Sequence, residues 1–256
     1  MPPELAVQVV NFRTKAFLGP CLESVGAALR ATGRSSAVLV LENGSGEVLD
    51  GLPGAPEVVV SDRNLGFGGG HNLLAAQHDA PLLCLVNPDV VCDRPDVLAV
   101  LLDALADETV AAAGPLLRTP DGAPQRFDHG ELHGLRAVVA NGAGHAHWQP
   151  RTERLDVAWV SGAFLLVRRT AFAAAGGFDE GFFLYKEEED LCLRMRQAGG
   201  RIVYAPDASA THVGSVVAGR DPELLAASDA RFRAKHAHGW RAALLRALYT
   251  GVTRRI

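Results

Sequence analysis

Four acidic residues in a row, Glu187, Glu188, Glu189 and Asp190, follow an apolar cluster, Phe182-Phe183-Leu184-Tyr185. Apolar neighbours desolvate a carboxylate and raise its pKa, as a general base requires. At a helix N-terminus such a run also serves as a solvated cap favoured by the macrodipole. A helical turn is expected to point Glu187 and Asp190 to one side and Glu188 to another. A second carboxylate, Asp89, comes directly after an apolar run and Asn87-Pro88. One carboxylate plus substrate oxygens is a common Mg²⁺ or Mn²⁺ arrangement, because such ions share ligands with a bound phosphate. Alone, Asp89 could equally cap a helix. His212 lies beyond a late strand, where it could ligate a metal or serve structurally. His129, His133, His145 and His147 crowd a loop-rich insert; their spacing could hold Zn²⁺, but a surface loop touching substrate fits better without nearby cysteines.

These residues need a frame. Residues 5–12 (LAVQVVNF), 37–41 (AVLVL), 58–60 and 82–86 (LLCLV) are short apolar runs that read as buried parallel strands. Between the first two, Leu18, Leu22, Val25 and Leu29 recur at helical spacing and Gly33 closes the helix. Pro95 suits the first turn of a helix carrying Leu98, Leu101, Leu102 and Leu105. This alternation predicts a mostly parallel sheet with ligands bound outside the carboxyl ends of its strands. The polar residues at those ends are Asn11, Glu42-Asn43, Asn64 and Asn87-Pro88-Asp89. The stretch 64–70 (NLGFGGG) reads as a tight loop whose N–H groups approach a ligand, followed by a helix over 71–78. It fits neither the dinucleotide fingerprint nor a Walker A loop. In the second half, 119–156 is loop-rich and 157–167 (VAWVSGAFLLV) reads as one long extended run. A short helix ends at Gly176-Gly177, another covers 187–198, a strand 201–205, and from Pro222 the pattern is helical.

Apolar residues make up 48% of the 256, enough for a sizeable core and too many for global disorder. A net charge of −4 argues against a general nucleic-acid binder. The charge is uneven: from Ala230 on there are seven Lys/Arg and no Asp/Glu. Trp240, Leu244, Leu248 and Val252, with Arg241, Arg246, Arg254 and Arg255 around them, could form a helix on an anionic membrane or pack on the domain. Cys21, Cys84, Cys92 and Cys192 show no metal or disulfide pattern and read as reduced core thiols. With no signal-peptide pattern and no long uncharged apolar run, the expected location is the cytoplasm, at most resting on a membrane face.

Together the motifs VVNF (9–12), ENGS (42–45), NLGFGGGHN (64–72), NPDV (87–90), WVSGAFLLVRR (159–169), GGFDEGFFLYKEEEDLCLR (176–194) and THVGS (211–215) resemble glycosyltransferase family 2, in its rhamnosyltransferase-like branch. The resemblance covers roughly residues 5–215. It implies a GT-A fold: an α/β domain over 1–218, with a nucleotide-binding half (1–115) and an acceptor half (116–218), then a basic tail over 219–256. It implies that Asn11, Glu42, Asn64, Gly66, Phe67, Asn72 and Asn87 hold a nucleotide-sugar donor, a dTDP- or UDP-sugar, with Gly162 and Ala163 at the sugar end. It implies Asp89 and His212 as ligands of Mn²⁺ or Mg²⁺, Glu188 as catalytic base, and Glu187 and Asp190 as acceptor-orienting groups. The acceptor would be a glycan or a lipid-linked glycan. Three positions depart from the pattern: Glu42 and Glu188 replace the commoner Asp, and Asn87 replaces the first acid of the DxD motif. A nucleotidyltransferase would carry a glycine-rich loop after the first strand, where Asn11-Phe12-Arg13-Thr14-Lys15 has no glycine. A non-catalytic nucleotide-sugar-binding domain is the remaining alternative, against which the intact acidic run argues.

Overall fold

The computed structural model describes residues 3–214 and 221–236. Four strands, β1 (Leu5–Asn11), β2 (Ser36–Asn43), β3 (Glu57–Ser61) and β4 (Leu82–Val86), pair in parallel in the order β3-β2-β1-β4. Helices α1 (Lys15–Thr32) and α2 (Gly66–Ala75) cross between them. The buried stripe of α1 is Leu18, Leu22, Val25 and Leu29, as the periodicity predicts. Gly33, at φ 66°, ends the helix by returning its N–H to the carbonyl of Arg30.

The sheet continues through the second half of the chain. After β5 (Val90–Cys92), α3 (Val97–Ala104), β6 (Val110–Arg118), β7 (His129–Glu131), α4 (Leu135–Gly142), β8 (Leu155–Val160), β9 (Phe164–Arg168), α5 (Arg169–Ala174), α6 (Glu187–Gln197), β10 (Arg201–His212) and α7 (Pro222–His236), the strand order reads β3-β2-β1-β4-β9-β6-β10-β8-β7, with β5 on β10. β6 and β10 run with the first four strands, whereas β9 lies antiparallel between β4 and β6. The sheet is thus mixed, with its parallel pairs at β3-β2-β1-β4 and β6-β10. Apolar side chains fill both faces. Val7, Cys84 and Leu166 meet α1 and α3 on one side; Ala6, Leu83 and Leu165 meet α2, α5 and α6 on the other. Alternation by two along each strand sends neighbours to opposite layers.

Several elements differ from the sequence expectation. The run 157–167 is broken at 161–163, where the chain reverses from β8 into β9. α2 begins at Gly66, so the glycine stretch is helix rather than loop. A side chain at Gly68 would strike the Cβ of Phe178 at 2.8 Å, so glycine there permits close packing. The loop-rich insert contains β7 and α4, and β10 extends to His212. The tail positions from Trp240 to Arg255 lie outside the described residues. All four cysteines are buried and free. Among the described residues no helix is long and apolar enough to cross a membrane.

Candidate active site

A cleft of about 710 Å³ opens at the carboxyl ends of the parallel strands, where an α/β sheet binds its ligands. Asn87, Pro88 and Asp89 reach it from the end of β4, Gly162 and Ala163 from the β8–β9 turn, Glu187, Glu188 and Glu189 from α6, and His212 from β10. Asp89 and Glu188 therefore open onto one cavity.

Asp89 is fixed by the edge pairing of β5 with β10, which sets Val90 opposite His212. Its Oδ2 accepts the N–H of Gly214 at 2.8 Å, and its Oδ1 lies 3.4 Å from His212 Nε2. Burial alone would raise its pKa, but the bonds from His212 and Gly214 outweigh it and hold the carboxyl below its ordinary value. Across the ring, His212 Nδ1 lies 2.9 Å from Gln125 Oε1, which can only accept. With Nδ1 donating to Gln125, Nε2 either carries the proton it shares with Asp89 or, deprotonated, offers its lone pair to the cleft. Nε2 lies 3.3 Å from Asn87 Nδ2 and 3.4 Å from Asp89 Oδ1. Two lone-pair groups turned toward one point suit a divalent cation, with the remaining positions left for phosphate oxygens. Among the described residues no group of three or more His, Cys, Asp or Glu could hold a metal by itself.

The acidic run sits where the chain is forced into α6. Tyr185 and Lys186 both have φ 71°, in the left-handed region that costs a non-glycine residue about 1–2 kcal/mol. Lys186 is held there by Glu189 at 2.7 Å and Asp229 at 3.5 Å. Burial, then the neighbouring Glu189, pushes the Glu188 carboxyl up to about 7. Burial, then Glu188, raises Glu187 well above the carboxylate range, and its Oε2 has no partner among the described residues. Gly162 faces this pair of layers: a Cβ there would come within 2.8 Å of Phe67 Cζ and 3.5 Å of Glu188 Cβ. Phe67 in turn stands edge-on to His71 and Phe178.

Not every residue singled out in the sequence reaches the cleft. Asn64, Gly66, Phe67, Asn87, Asp89, Gly162, Ala163, Glu187, Glu188 and His212 line it; Asn11, Glu42, Asn72 and Asp190 do not. Asn11 donates to Glu47 at 2.9 Å and accepts from Thr14 at 2.8 Å. Glu42 folds back on the turn after β2, accepting from the N–H of Ser45 at 2.7 Å and from its hydroxyl. Asn72 staples α2 to the next layer through both backbone groups of Phe178. Asp190 is fully buried behind the cleft, bound by Arg194, Lys235 and His236 at 2.6–2.7 Å. The expected sorting of Glu187 and Asp190 to one side is therefore corrected: Glu187, Glu188 and Glu189 share the cleft, and Asp190 turns into the α6–α7 contact.

Other lining residues have no site role in the sequence expectation, although Asn43 is named there among the polar strand ends. Asn43 accepts the N–H of Leu65 at 2.9 Å and donates to Asn64 at 3.0 Å, fixing the entry to α2. Gln125, Arg126 and Phe127 form one lip, and Leu224, Leu225 and Asp229 of α7 another. Of the four insert histidines, only His145 lines this cleft. His129 is buried instead, stacked on Tyr204 at 4.0 Å and bonded to Asp128 at 2.7 Å. Asp128 also accepts from Trp148 and Tyr204, both at 2.9 Å, and its carbonyl takes the N–H of Ser161. Such a network carries no sequence pattern, because its members are far apart in the chain.

The family described as "Glycosyltransferase like family 2" matches residues 2–237. The chain belongs to glycosyltransferase family 2. It is a rhamnosyltransferase-like glycosyltransferase with the GT-A fold. An N-acetylglucosaminyl-diphospho-decaprenol L-rhamnosyltransferase of Mycobacterium tuberculosis is 37% identical over 262 residues, covering 88% of this chain and 84% of its own. The rhamnosyltransferase WbbL of Escherichia coli K12 is 48% identical over a local stretch of 56 residues, 22% of this chain and 21% of its own. Among solved structures, the mannosyltransferase PcManGT from Pyrobaculum calidifontis, in complex with GDP-Man and Mn²⁺, superposes with TM-score 0.59 at 15% identity, covering 99% of this chain and 80% of that one.

Proposed function

We propose that this glycosyltransferase inverts the anomeric centre as it moves a sugar, with rhamnose the first candidate, from a nucleoside diphosphate to a hydroxyl of a lipid-linked glycan. The observation that carries the reading is that Asp89 and Glu188 open onto one cleft. Asp89 and His212 would hold Mn²⁺ or Mg²⁺, with Asn87 beside them. The cation, when bound, neutralises charge on the leaving diphosphate. Asn64, Gly66 and Phe67 flank the donor, and Gly162 leaves room for its sugar. Asn11, Glu42 and Asn72 act one layer back, holding the strand-end turn and α2 in place. Glu188 removes the proton from the acceptor hydroxyl while that oxygen bonds to the anomeric carbon. The bond from that carbon to the diphosphate breaks on the opposite face, and the nucleoside diphosphate leaves with the electron pair. Glu187, whose burial favours the neutral form, can donate a hydrogen bond to a sugar hydroxyl without adding charge. The relative's printed name, with its N-acetylglucosaminyl-diphospho-decaprenol, supports a diphosphate-linked lipid acceptor.

The stereochemistry tests this directly. Donors of known anomeric configuration, dTDP-rhamnose first and UDP-sugars beside it, are incubated with acceptor and Mn²⁺, and the product's anomeric coupling is read by NMR. Inversion is expected; a retained configuration overturns the single displacement.

A further inference from the structure

A second cavity of about 210 Å³ lies beside the cleft and shares His145, Trp159 and Glu189 with it. One wall is a stripe of α6, Glu189, Leu193 and Arg196, spaced four and three apart and hence on one helical face. Arg196 is half-buried in this wall, and among the described residues no carboxylate interacts with its guanidinium. Residues 1–2, 215–220 and 237–256 contain no Asp or Glu, so no side chain of theirs can supply the counter-charge. The one acid in the wall, Glu189, is taken by Lys186 at 2.7 Å, and His236 is already bonded to Asp190. Among the described residues only the Cys192 sulfur, one turn back, interacts with it electrostatically; a partly desolvated cation with no carboxylate beside it is costly, and a ligand anion relieves that cost.

We propose that this cavity receives the diphosphate of the acceptor, with Arg196 as its main contact. The inference rests on the transfer reading above, in which the acceptor hydroxyl sits at Glu188. α6 carries both groups. Arg196 follows Glu188 by eight residues, about 12 Å along the helix axis. An acceptor sugar at the head of α6 therefore lies over the shared wall at Trp159 and Glu189, and its anomeric phosphate points down the helix toward Arg196. The planar guanidinium fork suits two phosphate oxygens at once.

The test is a binding measurement that reads no turnover. Farnesyl-diphospho-N-acetylglucosamine and an alkyl N-acetylglucosaminide lacking phosphate are titrated into the full chain saturated with Mn²⁺ and nucleoside diphosphate, so that the donor site is filled. Arg196→Ala is expected to weaken the diphosphate ligand at least about tenfold, the usual scale of a lost charged contact, and to leave the alkyl glycoside unchanged. Arg196→Lys is expected to recover part of the loss. If the alanine variant does not fold, Arg196→Gln, which keeps the stem, carries the comparison. Equal affinity of wild type and variant for the diphosphate ligand overturns the proposal. So does an equal loss for both ligands, or no binding of the diphosphate ligand to the wild type at millimolar concentration. Undiminished turnover in Glu188→Gln would sink the transfer mechanism and leave this binding result standing, so the two failures are distinguishable.

Discussion

Glu188 is where burial and reactivity meet. Its carboxyl titrates at about 7 because the apolar junction and Glu189 both oppose its charge. In the proposed role of base Glu188 must be deprotonated to act, so kcat/KM is expected to climb about tenfold per pH unit below 7 and to level off above it. A profile flat from pH 5.5 to 8.5 would contradict this. The same raised pKa affects stability with a definite sign. The unfolded carboxyl ionises in the ordinary range near 4.5, so folding stability from this group is fully present below that value. It is lost as pH rises from there through about 7. Glu188→Gln removes the effect and is expected to raise the melting temperature by several degrees at pH 8 and by less at pH 5. At this scale the sequence was informative for residues whose chemistry is local. The apolar junction before the acidic run announced a perturbed carboxylate, and Asn87-Pro88-Asp89 announced a carboxylate at the end of a strand. It missed where a side chain's direction is set by its partners in the fold: Asp190 turns to Lys235 and His236 of α7, and Glu42 folds back on Ser45.

Among the elements, α6 does most of the positioning. Its entry through two left-handed residues aims Glu187 and Glu188 into the cleft, and its far side is bolted to α7 through Asp190. Asp190→Ala would leave Arg194, Lys235 and His236 without their shared acid. Breaking such a buried pair is expected to cost about 3–5 kcal/mol of stability in urea unfolding. Turnover measured well below the variant's melting point should fall little. A loss of acceptor binding with intact stability would restore Asp190 to the acceptor site. The β8–β9 turn makes a sharper demand. Gly162→Val would push against Phe67 and Glu188 together, and misplacement of about 1 Å is worth ~10²-fold in rate. A variant with wild-type kcat/KM would show that this contact does not set the geometry. Local periodicity predicted β1 to β4, α1, α5 and α6 well. It passed over β6, whose Val110–Arg118 run is rich in alanine and contains Gly114-Pro115, poor strand formers held by long-range pairing with β9 and β10. The three residues of β5 are likewise strand only because β10 is beside them.

At the scale of the molecule, one mixed sheet carries both halves of the chemistry. The parallel strands bring Asn43, Asn87 and Asp89 to its carboxyl edge, and antiparallel β9 joins them to the half that supplies Gly162, Glu188 and His212. The α/β class and the glycosyltransferase resemblance were legible because strand-end residues and their order in the chain are sequence properties. The antiparallel insertion, the Asp128–Tyr204 network and the second cavity were not, because each joins segments tens of residues apart. The fold brings Asp89 and Glu188 to one cleft, and removal of the proposed base alone gives the most direct test. Glu188→Gln is titrated with Mn²⁺ and nucleotide sugar by calorimetry, then assayed with acceptor. Donor affinity is expected to stay at the wild-type level while turnover drops by ~10²–10⁴-fold. Near-wild-type turnover with a verified acceptor would contradict the account.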